Sequence, residues 1–153
     1  MADPPDEHPL TVLFATETGN AMVLAEKAVA AAAALGVPAR LADMATYNTT
    51  KLARERDLLV ISSTHGEGDP PYTAIDFFEF LDEASADLSH LRFAVLALGD
   101  SGYDRFCEAG RHLDRRLEGL GARRLADRRD VDVDEMKAAR EWVGSLVGLF
   151  AGR

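Results

Sequence analysis

The chain has 153 residues, 47% of them hydrophobic, which suits one domain with a sizeable core. Its formal net charge of -9 argues against a nucleic-acid partner, because an acidic surface repels a polyanion. No apolar run approaches the roughly 20 residues that cross a bilayer, so we expect no membrane span. With a single cysteine and no signal-peptide pattern in residues 1–8, we expect a cytoplasmic protein. We also expect a monomer.

Apolar runs and helix-like stretches alternate along the chain. We expect residues 1–9 to form a flexible N-terminus and residues 10–151 to form a single domain. Strands are predicted at 10–15, 37–41, 58–62, 92–98 and 122–126. Helices are predicted at 21–35, 73–83, 103–120 and 134–150, with one or two helical turns around Leu52 in the 43–55 loop. This alternation predicts an α/β fold, a doubly wound five-stranded parallel sheet with helices on both faces.

The first predicted strand turns directly into a helix through a segment without lysine or arginine. Thr16 and Thr18 offer hydroxyl donors, Gly19 lets the backbone approach a ligand, and Asn20 can cap the helix. A helix N-terminus in such a turn directs free N–H groups at an anion. The segment predicts a phosphate site without a salt bridge, although an ordinary helix cap fits the pattern equally well.

Two further loops are expected at the same edge of the sheet, where ligands of such folds bind. Residues 63–71 combine two glycines with a proline pair, and residues 98–107 bring Tyr103 to the mouth of the sheet. Neither loop matches the fingerprint of a pyridine dinucleotide or of a nucleoside triphosphate. Cys107 lacks the spacing to an arginine that a phosphocysteine mechanism needs, so we expect a half-buried packing thiol. The histidines show no metal-ligand spacing, and no metal site is expected.

Charge is distributed unevenly along the chain. Residues 57–91 contain eight acidic residues and no lysine or arginine, whereas residues 111–129 contain seven arginines and three acidic residues. The pattern predicts an acidic face that steers a basic partner, and a charged surface kept for solubility is the simpler alternative.

Three segments in this order resemble the flavodoxin-type FMN domains of the sulfite reductase flavoprotein and cytochrome P450 reductase. They also resemble the stand-alone MioC-type flavodoxins of the short-chain type. The segments are Thr-Glu-Thr-Gly-Asn-Ala at 16–21, Ser-Thr-His-Gly-Glu-Gly-Asp-Pro-Pro at 63–71 and Leu-Gly-Asp-Ser-Gly-Tyr at 98–103. With Glu141 and Trp142 in the last helix, the likeness covers roughly residues 10–150.

The resemblance implies an FMN site built from these loops. Residues 16–21 would hold the phosphate, the other two loops would sandwich the isoalloxazine ring, and Tyr103 would stack on it. The peptide of Gly66 would turn over when the flavin is reduced. The residues assigned to FMN are Thr16, Glu17, Thr18, Gly19, Asn20, Ala21, Ser63, Thr64, His65, Gly66, Glu67, Gly68, Leu98, Gly99, Asp100, Tyr103, Phe106, Cys107 and Asp132.

Two of these assignments have alternatives. His65 stands where the P450 reductase pattern has a tyrosine, and it either tunes the flavin or is a loop residue without a redox role. Asp132 either lies close to the flavin or supplies an acidic start to the last helix, and both roles are compatible.

The resemblance implies an electron carrier, not an enzyme, without catalytic residues of its own. It would take electrons from a separate NAD(P)H-dependent flavoprotein reductase and pass them singly to an acceptor protein, such as a haem or iron-sulfur protein, docked on the acidic face. One alternative is an excised FMN domain of a diflavin reductase. Another is an NAD(P)H-dependent quinone reductase of the same fold.

Overall fold

Three buried, mostly apolar strands form the centre of a parallel sheet, and shorter or more exposed strands form its two edges. The computed structural model describes residues 8–151. Its strands are β1 (Leu10–Ala15), β2 (Ala39–Asp43), β3 (Asp57–Ser62), β4 (Arg92–Leu98), β5 (Arg123–Arg124) and β6 (Arg129–Val131). The order is β2-β1-β3-β4-β5, and β6 also pairs with β4. All pairings are parallel, and the prediction of a doubly wound parallel sheet is confirmed.

The last position of the sheet differs from the prediction. β5 pairs with the start of β4 and β6 with its end, so two short strands fill one of five positions. The predicted strand at 122–126 is wrong in extent, because the chain leaves the sheet before β6. Arg128 turns its guanidinium to Asp130 and Asp114 there.

The helices cover both faces of the sheet because side chains on successive strand residues point to opposite sides. They are α1 (Asn20–Ala34), α2 (Ile75–Glu83), α3 (Glu108–Gly119) and α4 (Met136–Gly148), with 3-10 helices at Thr49–Arg54 and Tyr72–Ala74. Val12 and Phe14 belong to the core under α1 and α4. Leu13 and Ala15 belong to the core under α2 and α3.

The predicted helix at 103–120 begins five residues later, at Glu108. Cys107, which precedes it, has a φ of 58°. This left-handed conformation does not occur within an α-helix, so the helix cannot begin before Glu108. Residues 99–107 are therefore a true loop at the end of β4.

The predicted flexible N-terminus falls almost entirely on residues 1–7, which lie outside the described residues. Among residues 8–151, every helix is too short or too polar to cross a membrane.

Candidate functional site

Four loops meet at the carboxyl edge of the sheet because their strands run in the same direction. They are loop 1 (residues 16–19), loop 3 (63–71), loop 4 (99–107) and loop 5 (132–135). Together they border a cleft of about 160 Å³. Its lining residues are Glu17, Thr18, Asn20, Ser63, Thr64, Leu98, Gly99, Asp100, Val131, Asp132, Val133 and Met136. The cleft thus unites residues from all three sequence motifs.

Loop 1 presents an uncapped helix start. Gly19 has a φ of 95, and its N–H donates to Oγ1 of Thr16 at 2.8 Å, which closes the turn. Gly19 is the N-cap of α1, so the expected cap at Asn20 is wrong and Asn20 is the first helical residue. No side chain of the described chain caps this helix, which leaves N–H groups of its first turn available to an anion.

Loop 3 folds back on itself in a tight hairpin. The His65 N–H donates to the Asp69 carbonyl at 2.7 Å, and the Asp69 N–H donates to the His65 carbonyl at 3.0 Å. Gly66 and Gly68 have φ values of 50 and 136, conformations that side chains disfavour. A Cβ on Gly68 would also lie 2.9 Å from Cδ of Arg105 in loop 4, so glycine is needed there for packing as well.

Loop 4 is held close to its own strand and helix. A Cβ on Gly99 would lie 2.6 Å from the backbone nitrogen of Cys107, a distance that backbone atoms do not tolerate. The Asp100 carboxylate accepts from the Gly102 N–H at 2.8 Å, and Tyr103 follows with 44% of its surface exposed. The aromatic side chain is therefore free to contact a ligand or partner at the rim.

Asp132 joins loop 5 to loop 4. Its Oδ1 accepts from the Ser101 N–H at 3.0 Å and from the Val133 N–H at 2.8 Å. The hydrogen bonds from Ser101 and then from Val133 hold the pKa of Asp132 below its ordinary value, because they favour the ionised carboxylate. This aspartate places a negative charge on the wall of the cleft.

Two of the four histidines contact carboxylates. His65 Nδ1 lies 2.7 Å from Oε1 of Glu17 in loop 1, and His112 Nε2 lies 2.5 Å from Oδ1 of Asp82. Among residues 8–151, no group of three or more His, Cys, Asp or Glu side chains is placed to hold a metal ion.

Cys107 differs from the expected half-buried thiol. Its side chain is fully buried, and Sγ donates to the Ala97 carbonyl at 3.3 Å. Burial, followed by the charge of Asp130, raises the pKa of Cys107 to about 12. It stands behind Gly99 and holds loop 4 against the core, while Phe106 beside it is partly buried.

The remaining predicted residues surround the cleft. Thr16 and Ala21 flank the start of α1, with Ala21 buried beneath it. His65 and Gly68 line a neighbouring groove of about 560 Å³ between loop 3, α2 and α3. Glu67 and Tyr103 line a separate depression of about 210 Å³ between loops 3 and 4.

Sequence reasoning missed three apolar residues of the cleft, Val131, Val133 and Met136. Val133 is 62% exposed, which is unusual for a branched apolar side chain. The predicted strand at 122–126 ended too early in the sequence, so these residues were not expected at the carboxyl edge of the sheet. A strand ending at Val131 would have put the next residues at the carboxyl edge, where ligands bind.

The chain matches the family model described as flavodoxin over residues 12–142. It is 46% identical over 139 residues to the sulfite reductase [NADPH] flavoprotein alpha-component of Neisseria meningitidis FAM18, which covers 90% of this chain and 23% of that protein. The protein of the same name from Bacillus subtilis is 44% identical over 92% of this chain and 24% of its own. The chain spans about a quarter of the length of the curated relatives it matches.

Solved flavodoxins share the fold over their whole length. The flavodoxin of Streptococcus pneumoniae TIGR4 gives a TM-score of 0.83 at 24% identity and covers 94% of this chain and 97% of that chain. Oxidised flavodoxin 2 of Bacillus cereus gives a TM-score of 0.82 at 25% identity, and the match covers 94% of this chain and 98% of that chain.

Proposed function

Because the chain belongs to the flavodoxin family, whose members bind FMN and transfer electrons, we propose that it accepts electrons from an NAD(P)H-dependent flavoprotein reductase and passes them singly to an acceptor protein. The expected FMN cofactor and electron-carrier role are confirmed by this membership. The observation that carries the proposal is the 44–46% identity to sulfite reductase flavoproteins over 90% or more of the chain.

The phosphate of FMN fits the uncapped start of α1. Loop 1 offers backbone N–H groups, the Thr18 hydroxyl and the helix dipole, and it contains no cation. We assign the FMN phosphate to residues 16–21 on this ground. Bound FMN supplies the redox chemistry, and the protein sets its orientation and its electrostatic surroundings.

We assign the isoalloxazine ring to the space between loops 3 and 4. Gly66 has a φ of 50° and no Cβ, so its backbone can present either a carbonyl or an N–H group at little conformational cost. Tyr103 offers an exposed aromatic face on the other loop. Asp100 and Asp132 in the cleft wall disfavour added negative charge and therefore lower the reduction potential of a flavin held there.

The partner surface is the acidic rim beside these loops. Glu67, Asp69, Asp100 and Asp104 are exposed there. Next to them lies the groove between loop 3, α2 and α3, where Tyr72 is 82% exposed and Ile75 is 37% exposed. A basic surface of a haem or iron-sulfur acceptor complements these carboxylates, and the exposed apolar side chains give it something to pack on.

A second arrangement is favoured by the relatives, each about four times as long as the matched segment. In it, the chain serves as the FMN domain of a diflavin reductase and receives electrons within one polypeptide. A monomeric state and a cytoplasmic location remain predictions from the composition.

The decisive experiment begins with the protein purified without added flavin. We expect visible flavin absorption, loss of that absorption in two one-electron steps on anaerobic titration, and slow reduction by NADPH alone. Addition of an NADPH-dependent flavoprotein reductase should make reduction fast, and the rate should fall with rising salt. Rapid reduction by NADPH alone would instead indicate the quinone reductase alternative. A colourless protein that does not bind added FMN would overturn the proposal.

A further inference from the structure

The hydrogen bond between the side chains of Glu17 and His65 connects two loops that the sheet itself does not hold together. β1 and β3 are neighbours, and the last backbone contact between them is the Ser63 N–H donating to the Ala15 carbonyl at 2.8 Å. Beyond this point loop 1 turns into α1 and loop 3 turns towards α3. The Nδ1 to Oε1 contact of 2.7 Å joins them again at side chains 48 residues apart in sequence.

Both ends of this contact are anchored by their own turns. The Thr16 to Gly19 hydrogen bond shapes the backbone on either side of Glu17. The His65 backbone is fixed on both sides by Asp69. Because both backbones are already held in turns, only the side chains lose conformational freedom when they pair.

The contact also determines which ring nitrogen carries a hydrogen. An ionised carboxylate only accepts, so the His65 ring donates from Nδ1. In a neutral ring, Nε2 is then left as an acceptor. Glu17 therefore sets both the position and the hydrogen-bonding character of the His65 ring.

We propose that Glu17 and His65 form a latch between loop 1 and loop 3, which slows the release of bound FMN. The inference rests on the proposed FMN site, in which loop 1 holds the phosphate and loop 3 holds the ring. A ligand that spans both loops leaves more slowly when the loops are tied in the bound arrangement. Glu17 is a positioning residue in this proposal, since it acts through His65.

The test is a double-mutant cycle on FMN dissociation from E17A, H65A and the combined variant. We expect E17A to speed dissociation about two- to fivefold, the range of an exposed ion pair, with little change in the association rate. In the H65A background, E17A should have no further effect. E17Q, which keeps an acceptor oxygen, should lie between E17A and the wild type.

Glu26→Ala is the matched control, because it removes the same charge from an exposed position on α1 that lies outside the residues assigned to FMN. It should leave the FMN dissociation rate unchanged. Nitrogen NMR of the FMN-free protein gives a separate readout, in which His65 carries its hydrogen on Nδ1 in the wild type and loses this preference in E17A.

The proposal is overturned if E17A releases FMN at the wild-type rate, if its effect is the same with and without His65, or if E26A acts as strongly. These results differ from a failure of the proposed function. In that case the wild type would bind no FMN, while NMR of the protein would still report the state of the His65 ring.

Discussion

The two edges of the sheet use their polar groups in opposite ways. At the amino edge, arginines bind buried carboxylates and carbonyls within the fold. Arg92 bonds to both oxygens of Asp57 at 2.8 and 3.0 Å, and Arg124 bonds to both oxygens of Asp114 at 3.0 and 3.1 Å. At the carboxyl edge, the loops depend on glycines and backbone turns, and many carboxylates remain exposed.

The amino edge of the sheet therefore stabilises the fold, and the carboxyl edge is arranged for binding. Buried ion pairs at the amino edge hold strands and helices together, whereas donors and charges at the carboxyl edge remain available to FMN and to partners. The difference between the edges also explains the basic stretch at 111–129. Arg116 donates to three carbonyls at the end of α2, and Arg124 and Arg128 bind carboxylates. The charges of Arg124 and Arg128 are therefore balanced within the fold.

Replacing Asp114 with alanine tests the amino edge and should have the largest effect. The Asp114 side chain is 6% exposed and pairs with Arg124 and Arg128, so its loss leaves two cations without their shared partner. We expect the free energy of unfolding in urea to fall by about 3 kcal/mol. FMN affinity of the folded protein should not change.

Glu118→Ala is the control for this variant, since Glu118 pairs with the same arginine but its side chain is 59% exposed. It should cost at most about 1 kcal/mol. Equal losses in the two variants would show that burial does not distinguish the pairs.

Replacing Gly99 with alanine tests the carboxyl edge. The new Cβ would meet the Cys107 backbone nitrogen at 2.6 Å, and loop 4 would have to move. We expect a loss of about 2 kcal/mol in unfolding free energy, together with at least about tenfold weaker FMN binding by fluorescence titration. Gly144→Ala, in open space on α4, should instead stabilise the protein by up to about 1 kcal/mol. Unchanged FMN affinity in Gly99→Ala would contradict the placement of loop 4 at the site.

Replacing Asp132 with alanine should have a smaller effect that depends on pH. Because the pKa of Asp132 is below its ordinary value of 3.8 in the fold, its ionised form stabilises the native state above that value. This contribution is lost as the pH falls through the folded pKa. Urea denaturation at neutral and at acidic pH should show a stability gap between wild type and variant that closes in acid. Asp134→Ala, which removes an exposed carboxylate from the same loop, is the control for the loss of one negative charge.

The last prediction concerns the thiol of Cys107, which should not react with a disulfide reagent in the native protein. With a pKa raised to about 12 and a buried sulfur, it has almost no thiolate at neutral pH and no access to reagent. The native protein should not react with a disulfide reagent over minutes, whereas the urea-unfolded protein should react at once. Prompt labelling of the native protein would mean that loop 4 opens readily.

Local patterns were sufficient for the fold class and for the three loops of the site. The apolar runs at 10–15, 58–62 and 92–98 are strands that are buried on both faces. A continuous apolar run is the sequence pattern of such a strand, so their extent could be predicted. The glycines and hydroxyls of loops 1, 3 and 4 mark turns for the same local reason.

Other features depend on groups that are distant along the chain. The interruption between β5 and β6, the burial of Cys107 and the pairing of Asp114 with Arg124 follow from contacts between separate elements. The sequence by itself determined which segments form the sheet and which loops carry the site, because periodicity and turn chemistry act over a few residues. Only the tertiary structure decided that Glu17 meets His65 and that Val133 and Met136 complete the cleft, since a contact requires the whole sheet to bring its ends together.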